Sequence, residues 1–232
     1  MKAYVFLLIV ALCSFSCDRS KENGNNTEVS SDPDSSKINN ENLDVTLEKY
    51  KTIRLTADLS SLTEGEKQMI PLLIEAAKIM DSLFWYEAYG DQESLLKTES
   101  EVDIQRFIEI NYGPWDRLDD DKPFISGAGP KPKGANFYPA DMTVEEFEQS
   151  DLADKNSLYT FLRRDAAGQL ETIPFHQYFA EQVSRAAELL EDAAGLAEAP
   201  GLKKYLILRA EALRTDEYKE SDLAWMDMKD NT

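Results

Sequence analysis

The side chains that could do metal or nucleophilic chemistry are few in this sequence. Its 232 residues include one histidine, His176, and two cysteines, Cys13 and Cys17. A catalytic zinc site usually takes two or three imidazoles with a carboxylate, and no HExxH pattern occurs, so an in-chain site of that kind is excluded. No serine lies in a G-x-S-x-G elbow that could pair with His176, and a lone histidine is more often structural. The residue types therefore predict no catalytic group and no metal site in this chain.

Nucleotide chemistry and nucleic-acid binding are also disfavoured. Gly127, Gly129 and Gly134 are interrupted by Pro130 and Pro132 and do not follow a strand pattern, so they form no dinucleotide fingerprint. The 44 acidic against 25 basic side chains give a net charge of −19 at pH 7. Such a charge repels phosphate backbones, so we expect no nucleic-acid partner. We interpret the acidic composition as a solvated surface rather than as a cation site.

The first residues have the pattern of a bacterial lipoprotein signal. Lys2 precedes the apolar run 3–12, which is too short to span a bilayer as a helix. Serines stand three and one places before Cys17, as lipoprotein processing requires. We therefore predict that residues 1–16 are a signal peptide and that Cys17 carries the lipid. The protein would then be anchored to a membrane of the cell envelope, either periplasmic or surface-exposed. Ordinary cleavage that leaves Cys17 as a free thiol is the alternative.

A polar segment separates this signal from the folded part of the chain. Residues 17–42 are rich in Ser, Asn, Asp, Glu and Lys and contain almost no large apolar side chain. Such a composition cannot bury enough apolar area to offset the entropy of ordering, so we predict a disordered tether. A disordered tail without a spacing role would have the same composition. Residues 43–232 are the predicted body. The loss of Cys13 with the signal and the acylation of Cys17 would leave the exported protein without a free thiol.

The body has the periodicity of a mainly α fold with a small β element (α+β), which we expect to resemble a helical bundle. Thr63 and Glu66 form a capping box before an amphipathic helix that ends near Tyr89. Pro71 either kinks this helix or marks the first turn of its main part. The other predicted elements are a helix over 102–111, a brief helix opened by a capping box of Thr143 and Glu146, a β-hairpin over 158–173, and two helices that follow Pro174 and Pro200.

The long loop over residues 111–141 interrupts this regular pattern. It contains five prolines, four glycines and several large aromatic residues. Loops of this length in compact domains are usually functional or disordered, and the aromatic side chains favour burial over disorder. Polar groups held among aromatics could form one wall of a binding cleft, and a loop that merely covers the helices is the alternative. The candidate cleft residues are Trp115, Asp116, Arg117, Asn136, Tyr138 and Asp141.

Four segments of the body resemble bacterial dipeptidyl peptidase III-like zinc metallopeptidases. They are NYGPWDRL at 111–118, GANFYPADMT at 134–143, LYTFLRRD at 158–165 and SDLAWMDMKDNT at 221–232. The similarity spans about residues 55–232. It implies a two-lobed, mainly helical enzyme that removes dipeptides from peptide N-termini, with zinc bound between the lobes.

The resemblance departs from the family at the metal site. The zinc ligands of that family lie further along the chain than Thr232, so none can be assigned to a position here. The resemblance therefore implies the N-terminal portion of such an enzyme, inactive alone, with a peptide substrate and a C-terminal lobe as its partners. A truncated gene, a fragment and a genuine short paralogue all fit this pattern. The competing hypothesis is a non-enzymatic envelope lipoprotein that binds a peptide, a glycan or a protein partner.

Overall fold

The computed structural model of the protein describes residues 47–229. The predicted signal peptide 1–16, the lipidation site Cys17 and the predicted tether 17–42 lie outside the described residues, as does the start of the predicted body. These predictions are therefore not tested by the structure.

The longest helix, α1, spans Glu64–Ala88 and begins at the predicted capping box. The Thr63 side chain accepts from the backbone N–H of Glu66 at 3.2 Å, and the Glu66 carboxylate accepts from the backbone N–H of Thr63 at 2.8 Å. Pro71 lies inside α1, so the interpretation that it marks a first turn is wrong. The helix continues past this residue because its apolar stripe is packed against the core, which offsets the hydrogen bond that proline cannot donate. The stripe includes Met69, Ala76 and Leu83, which are buried.

Two short helices and a small ribbon follow α1. Helix α2 spans Gln92–Lys97 and was not predicted, whereas α3 spans Val102–Asn111 as expected. The ribbon pairs β1, Trp115–Asp116, with β2, Lys122–Pro123, in antiparallel register. Most of the 111–141 loop is otherwise irregular, as its prolines and glycines predict.

The predicted hairpin and C-terminal helices are present with small differences. Helix α4 spans Val144–Gln149, and the hairpin pairs β3, Thr160–Arg164, with β4, Leu170–Pro174. The first predicted C-terminal helix is divided into α5, Phe175–Tyr178, and α6, Ala180–Leu196, while α7 spans Pro200–Thr215 and α8 spans Lys219–Asp227. Strand β3 begins two residues after the predicted start of the hairpin at residue 158. Helix α8 was not predicted. The Thr143 side chain caps α4, but the Glu146 carboxylate binds Arg164, so the second capping box is incomplete.

The core lies where α6 packs between α1 and α7, with α8 against α7. Small side chains on α6, among them Ala186 and Ala187, are fully buried and allow close helix packing. The hairpin adds Phe161 to the same cluster, and a second cluster forms around Phe107 of α3. The mainly α architecture is therefore confirmed. Within residues 47–229, the helices are too short or too polar to cross a bilayer.

Candidate functional site

The start of the 111–141 loop is fixed by Asn111, the last residue of α3. This side chain is buried, and its amide donates to the backbone carbonyl of Phe107 at 2.9 Å. Its oxygen accepts from the backbone N–H of Arg117 at 3.0 Å and from the Tyr50 hydroxyl at 3.2 Å. Because one amide satisfies three partners, it sets the direction in which the chain leaves α3. Tyr112 then adopts a left-handed conformation and ends the helix.

The first three candidate residues lie together just after this turn. Trp115 is 8% exposed, donates from its indole Nε1 to the carbonyl of Gly129 at 2.8 Å, and packs at 5.7 Å against the Tyr89 ring. Gly113 has a φ of +149°, and a Cβ there would approach the Trp115 ring at 3.2 Å, so a glycine suits this close packing. The indole is therefore a support of the loop rather than an exposed surface.

Asp116 and Arg117 have opposite environments although they are neighbours. The Asp116 carboxylate is almost fully buried and accepts from Lys49 Nζ at 3.2 Å and from the backbone N–H of Leu118 at 2.9 Å. Arg117 is exposed, donates to the carbonyl of Ile110, and lies 5.6 Å from the Tyr112 ring centre. The two donors compensate for the cost of burying the Asp116 carboxylate, whereas the Arg117 guanidinium remains accessible to a ligand.

The second group of candidate residues begins at Asn136, which joins the loop to the end of α1. Its side-chain amide donates to the carbonyl of Tyr86 at 2.7 Å, and its backbone N–H donates to the carbonyl of Glu87 at 3.0 Å. Its own carbonyl accepts from Arg163 at 2.9 Å. Since the last carbonyls of a helix have no partner within the helix, Asn136 satisfies groups that α1 leaves open.

Tyr138 and Asp141 lie next to the hairpin. A Cβ on Gly134, whose φ is +81°, would overlap the Tyr138 ring, so that position also requires glycine. The exposed Asp141 carboxylate accepts from Arg164 Nε at 2.8 Å, and Glu146 accepts from the same guanidinium. These two carboxylates raise the pKa of Arg164, and the guanidinium lowers the pKa of Glu146.

The structure thus brings the six candidate residues into two groups that share one support, the C-terminal end of α1. The first group touches this end through Tyr89, and the second binds the carbonyls of Tyr86 and Glu87. That these residues line a substrate cleft is still a prediction.

Glu87 is a residue at this junction that the sequence interpretation missed. Burial raises the pKa of its carboxyl to about 7, so it changes charge near neutral pH. Such a shifted group beside candidate ligand contacts marks a functional site more often than an exposed acid does. The signal in the sequence was an acid placed within an aromatic run, between Tyr86 and Tyr89.

His176 is paired with one carboxylate, which fits the structural role expected for a lone histidine. Its ring Nδ1 lies 2.8 Å from the Asp216 carboxylate, which also accepts the His176 backbone N–H at 3.1 Å. Asp216 ends α7 in a left-handed conformation, so the pair joins that helix end to α5. Among residues 47–229, no group of three or more His, Cys, Asp or Glu side chains is arranged to hold a metal ion. Nothing in the described residues therefore offers a site that fits zinc.

The chain is similar in sequence and structure to two solved dipeptidyl peptidases. It is similar to the solved structure of dipeptidyl peptidase III from Caldithrix abyssi, with 42% identity and a TM-score of 0.76 over 82% of this chain and 38% of that one. The solved structure of dipeptidyl-peptidase III from Corallococcus sp. strain EGB is 32% identical, with a TM-score of 0.75, over 82% of this chain and 38% of that one. The sequence resemblance is therefore confirmed by structure.

Two further comparisons limit what these names mean for this chain. It is 30% identical to Nudix hydrolase 3 of Arabidopsis thaliana over 78% of this chain but 32% of that protein, so a name given to the whole protein does not carry over. No family model matches the chain. It spans less than two fifths of the length of each of these relatives.

Proposed function

We propose that this dipeptidyl peptidase III-like chain forms the N-terminal portion of a peptide hydrolase and supplies part of its peptide-binding cleft. The observation that carries the proposal is 42% identity with a TM-score of 0.76 over four fifths of the chain. The loop and the hairpin that hold the candidate residues also carry three of the segments that resemble the family, at 111–118, 134–143 and 158–165. The chain matches 38% of the solved relatives, and residues 47–229 hold no group arranged for a metal ion, so the proposal assigns the bond-breaking groups to the part that the chain does not match.

The candidate residues divide between contact and support. Arg117 and Asp141 are exposed and Tyr138 is half-buried, so these three are the proposed peptide contacts. An exposed guanidinium and an exposed carboxylate suit the charged ends or side chains of a peptide. Trp115 and Asp116 are buried, so we assign them a positioning role, in which they hold the loop that carries the contacts.

Zinc enters this proposal only through the family. Within the described residues no ligand set fits it, so the ion would have to be held by residues outside 47–229. We expect purified residues 18–232 to bind no stoichiometric zinc and to hydrolyse no dipeptidyl substrate. A chain that binds one zinc ion by itself would contradict this division.

The proposal also includes an envelope location, because residues 1–16 have the pattern of a lipoprotein signal that precedes Cys17. Replacing Cys17 with Ser should release the protein from the membrane fraction, as judged by immunoblotting after ultracentrifugation. A Cys17→Ser protein that still sediments with membranes would mean that the anchor lies elsewhere.

A chimera tests the cleft directly. The matched part of the Caldithrix abyssi protein is replaced with residues 47–229 of this chain, and hydrolysis of a chromogenic dipeptidyl amide is measured. We expect an active chimera in which Asp141→Asn raises KM several-fold, because the variant removes a charge that meets the peptide. The matched control is Glu145→Gln, which removes a charge from an exposed side chain of α4 and should leave KM unchanged.

The result separates the two hypotheses for this chain. A chimera that folds and binds zinc but hydrolyses nothing would contradict a cleft role. In that case, peptide or glycan binding by residues 18–232 alone, measured by calorimetry, would favour the non-enzymatic lipoprotein. Sequencing beyond codon 232 adds an independent result, since a frame encoding a zinc-binding helix supports the peptidase.

A further inference from the structure

An exposed segment joins Tyr50 to the cap of α1, and we call residues 51–59 the arm. All of its residues are exposed, and it contains no helix or strand. Within residues 47–229, no backbone group of residues 51–58 takes part in a backbone–backbone hydrogen bond. With respect to the described residues, positions 51–58 therefore present a row of backbone donors and acceptors that lack backbone partners, as the edge strand of a sheet does.

The sequence of the arm does not match this environment. Ile53, Leu55, Ala57 and Leu59 alternate with Arg54, Thr56 and Asp58. Alternation with period two is the pattern of a strand with one buried face. The apolar side chains are instead open to solvent, since Ile53 is 74%, Leu55 75% and Leu59 44% exposed. A strand pattern on a fully exposed segment indicates an absent strand partner.

The first end of the arm is held by the body. Arg106 donates to the Thr52 hydroxyl at 3.1 Å, and the preceding Tyr50 packs with the cluster around Phe107. At the other end, the Asp58 carboxylate accepts from the backbone N–H of Ser60 at 2.9 Å, a local turn that leads into α1. The arm is therefore attached to the body at Thr52 and continues into α1 at its other end.

Charge identifies the partner. We propose that the arm pairs with the arm of a second copy of this chain, antiparallel, about a two-fold axis through Thr56. In this register Arg54 of each copy lies opposite Asp58 of the other, so the interface contains two opposite-charge pairs. The apolar partners are Ile53 with Leu59 and Leu55 with Ala57, all on one face.

Neighbouring registers lose these pairs. An axis through Arg54 places two guanidinium groups opposite each other, and an axis through Leu55 places Arg54 opposite Thr56. A shift of one strand by one residue places the apolar side chains of one arm opposite the polar side chains of the other, which the alternating pattern disfavours. The register through Thr56 is therefore selected by both the charges and the apolar pattern.

The pairing involves a short strand on a chain with a net charge of −19, so we expect a weak, concentration-dependent dimer. A salt concentration of about 0.15 M screens the overall repulsion beyond roughly 8 Å and keeps the close pairs. The protein for the test begins at Asp18, which retains every described residue and contains no cysteine.

Disulfide trapping tests the register. Thr56→Cys places two thiols opposite each other at the axis, so mild oxidation should give a covalent dimer on a non-reducing gel. The control is Ser60→Cys, because the two Ser60 residues would lie eight residues apart along the ribbon, about 26 Å, and should not cross-link. Equal cross-linking of both variants, or none of Thr56→Cys, would overturn the proposal.

Sedimentation velocity tests the charge pairs. Arg54→Glu sets a carboxylate against Asp58 and should raise the dimer dissociation constant about tenfold or more. Lys51→Glu makes the same change in net charge outside the paired positions and should leave the constant nearly unchanged. A monomer at every concentration, or equal effects of the two variants, would show that a second copy does not occupy the arm. These readouts do not involve hydrolysis, so they are independent of the peptidase proposal.

Discussion

The two groups of candidate residues are attached to the end of α1 by different means. The first group buries an indole and a carboxylate, with Trp115 against Tyr89 and Asp116 bound by Lys49. The second group uses polar bonds at the edge of the fold, with Asn136 on the carbonyls of α1 and Asp141 on Arg164. Buried apolar area contributes more to stability than exposed ion pairs do, so the first group should fix the loop. The second group, together with the exposed Arg117 of the first, should be free to respond to a ligand.

The largest expected effect comes from removing the indole of the first group. Trp115→Ala should lower the free energy of unfolding by about 3–5 kcal/mol, because it leaves a cavity beside Tyr89 and an unpaired carbonyl at Gly129. Chemical denaturation followed by circular dichroism measures the change. The control is Trp225→Ala, since Trp225 is 40% exposed and should lose much less. Equal losses would mean that Trp115 does not hold the loop.

The next effect concerns Glu87, which lies under the second group. Its folded pKa of about 7 exceeds the unfolded value of 4.5, so the folded state binds the proton more tightly. Stability should therefore fall as pH rises from about 4.5 to 7, by up to about 3 kcal/mol. Glu87→Gln should remove this pH dependence and stabilise the protein at pH 8 but not below pH 4.5. Thermal unfolding of the variant and the parent protein at pH 4 and pH 8 measures the difference in stability. An equal gain in stability at both pH values would exclude burial of the Glu87 charge as the cause.

A smaller effect is expected at the buried carboxylate of the first group. Asp116→Ala leaves the backbone N–H of Leu118 and the Lys49 ammonium without their acceptor, which should reduce stability by about 1–3 kcal/mol. Asp119→Ala is the control, because the Asp119 carboxylate is a surface group paired with Lys122. Urea denaturation measures the stability of the two variants. A larger loss of stability in Asp119→Ala than in Asp116→Ala would contradict the assignment of Asp116 as the buried support of the loop.

The smallest effect is expected at the exposed carboxylate of the second group. Asp141→Asn should not change the unfolding midpoint measurably, since the Arg164 guanidinium keeps Glu146 as its partner. Arg163→Gln should be destabilising, because Arg163 donates to the carbonyls of Asn136 and Phe137. A large loss of stability in Asp141→Asn would make this residue a support and would weaken its proposed role as a peptide contact.

Much of the helical fold could be predicted because its signals are local. The capping box of Thr63 and Glu66, the bounds of α3 and the hairpin all follow from caps, periodicity and turn residues within a few positions of one another. Helix α8 was missed because its buried residues, Ser221 and Ala224, are small and one is polar, so its apolar stripe is weak. The second half of the Thr143 box failed because Arg164, eighteen residues beyond Glu146, supplies a stronger partner for its carboxylate.

The sequence by itself determined the helical body, the position of the irregular loop and the identity of its candidate residues, since composition and spacing carry that information. It also showed that His176 is the single histidine. Only the tertiary structure decided that Trp115 and Asp116 are buried while Arg117 and Asp141 are exposed, and that Glu87 titrates near neutral pH. Burial depends on which distant segments pack together, here Lys49 and the end of α1 against the loop, and no local pattern encodes those contacts.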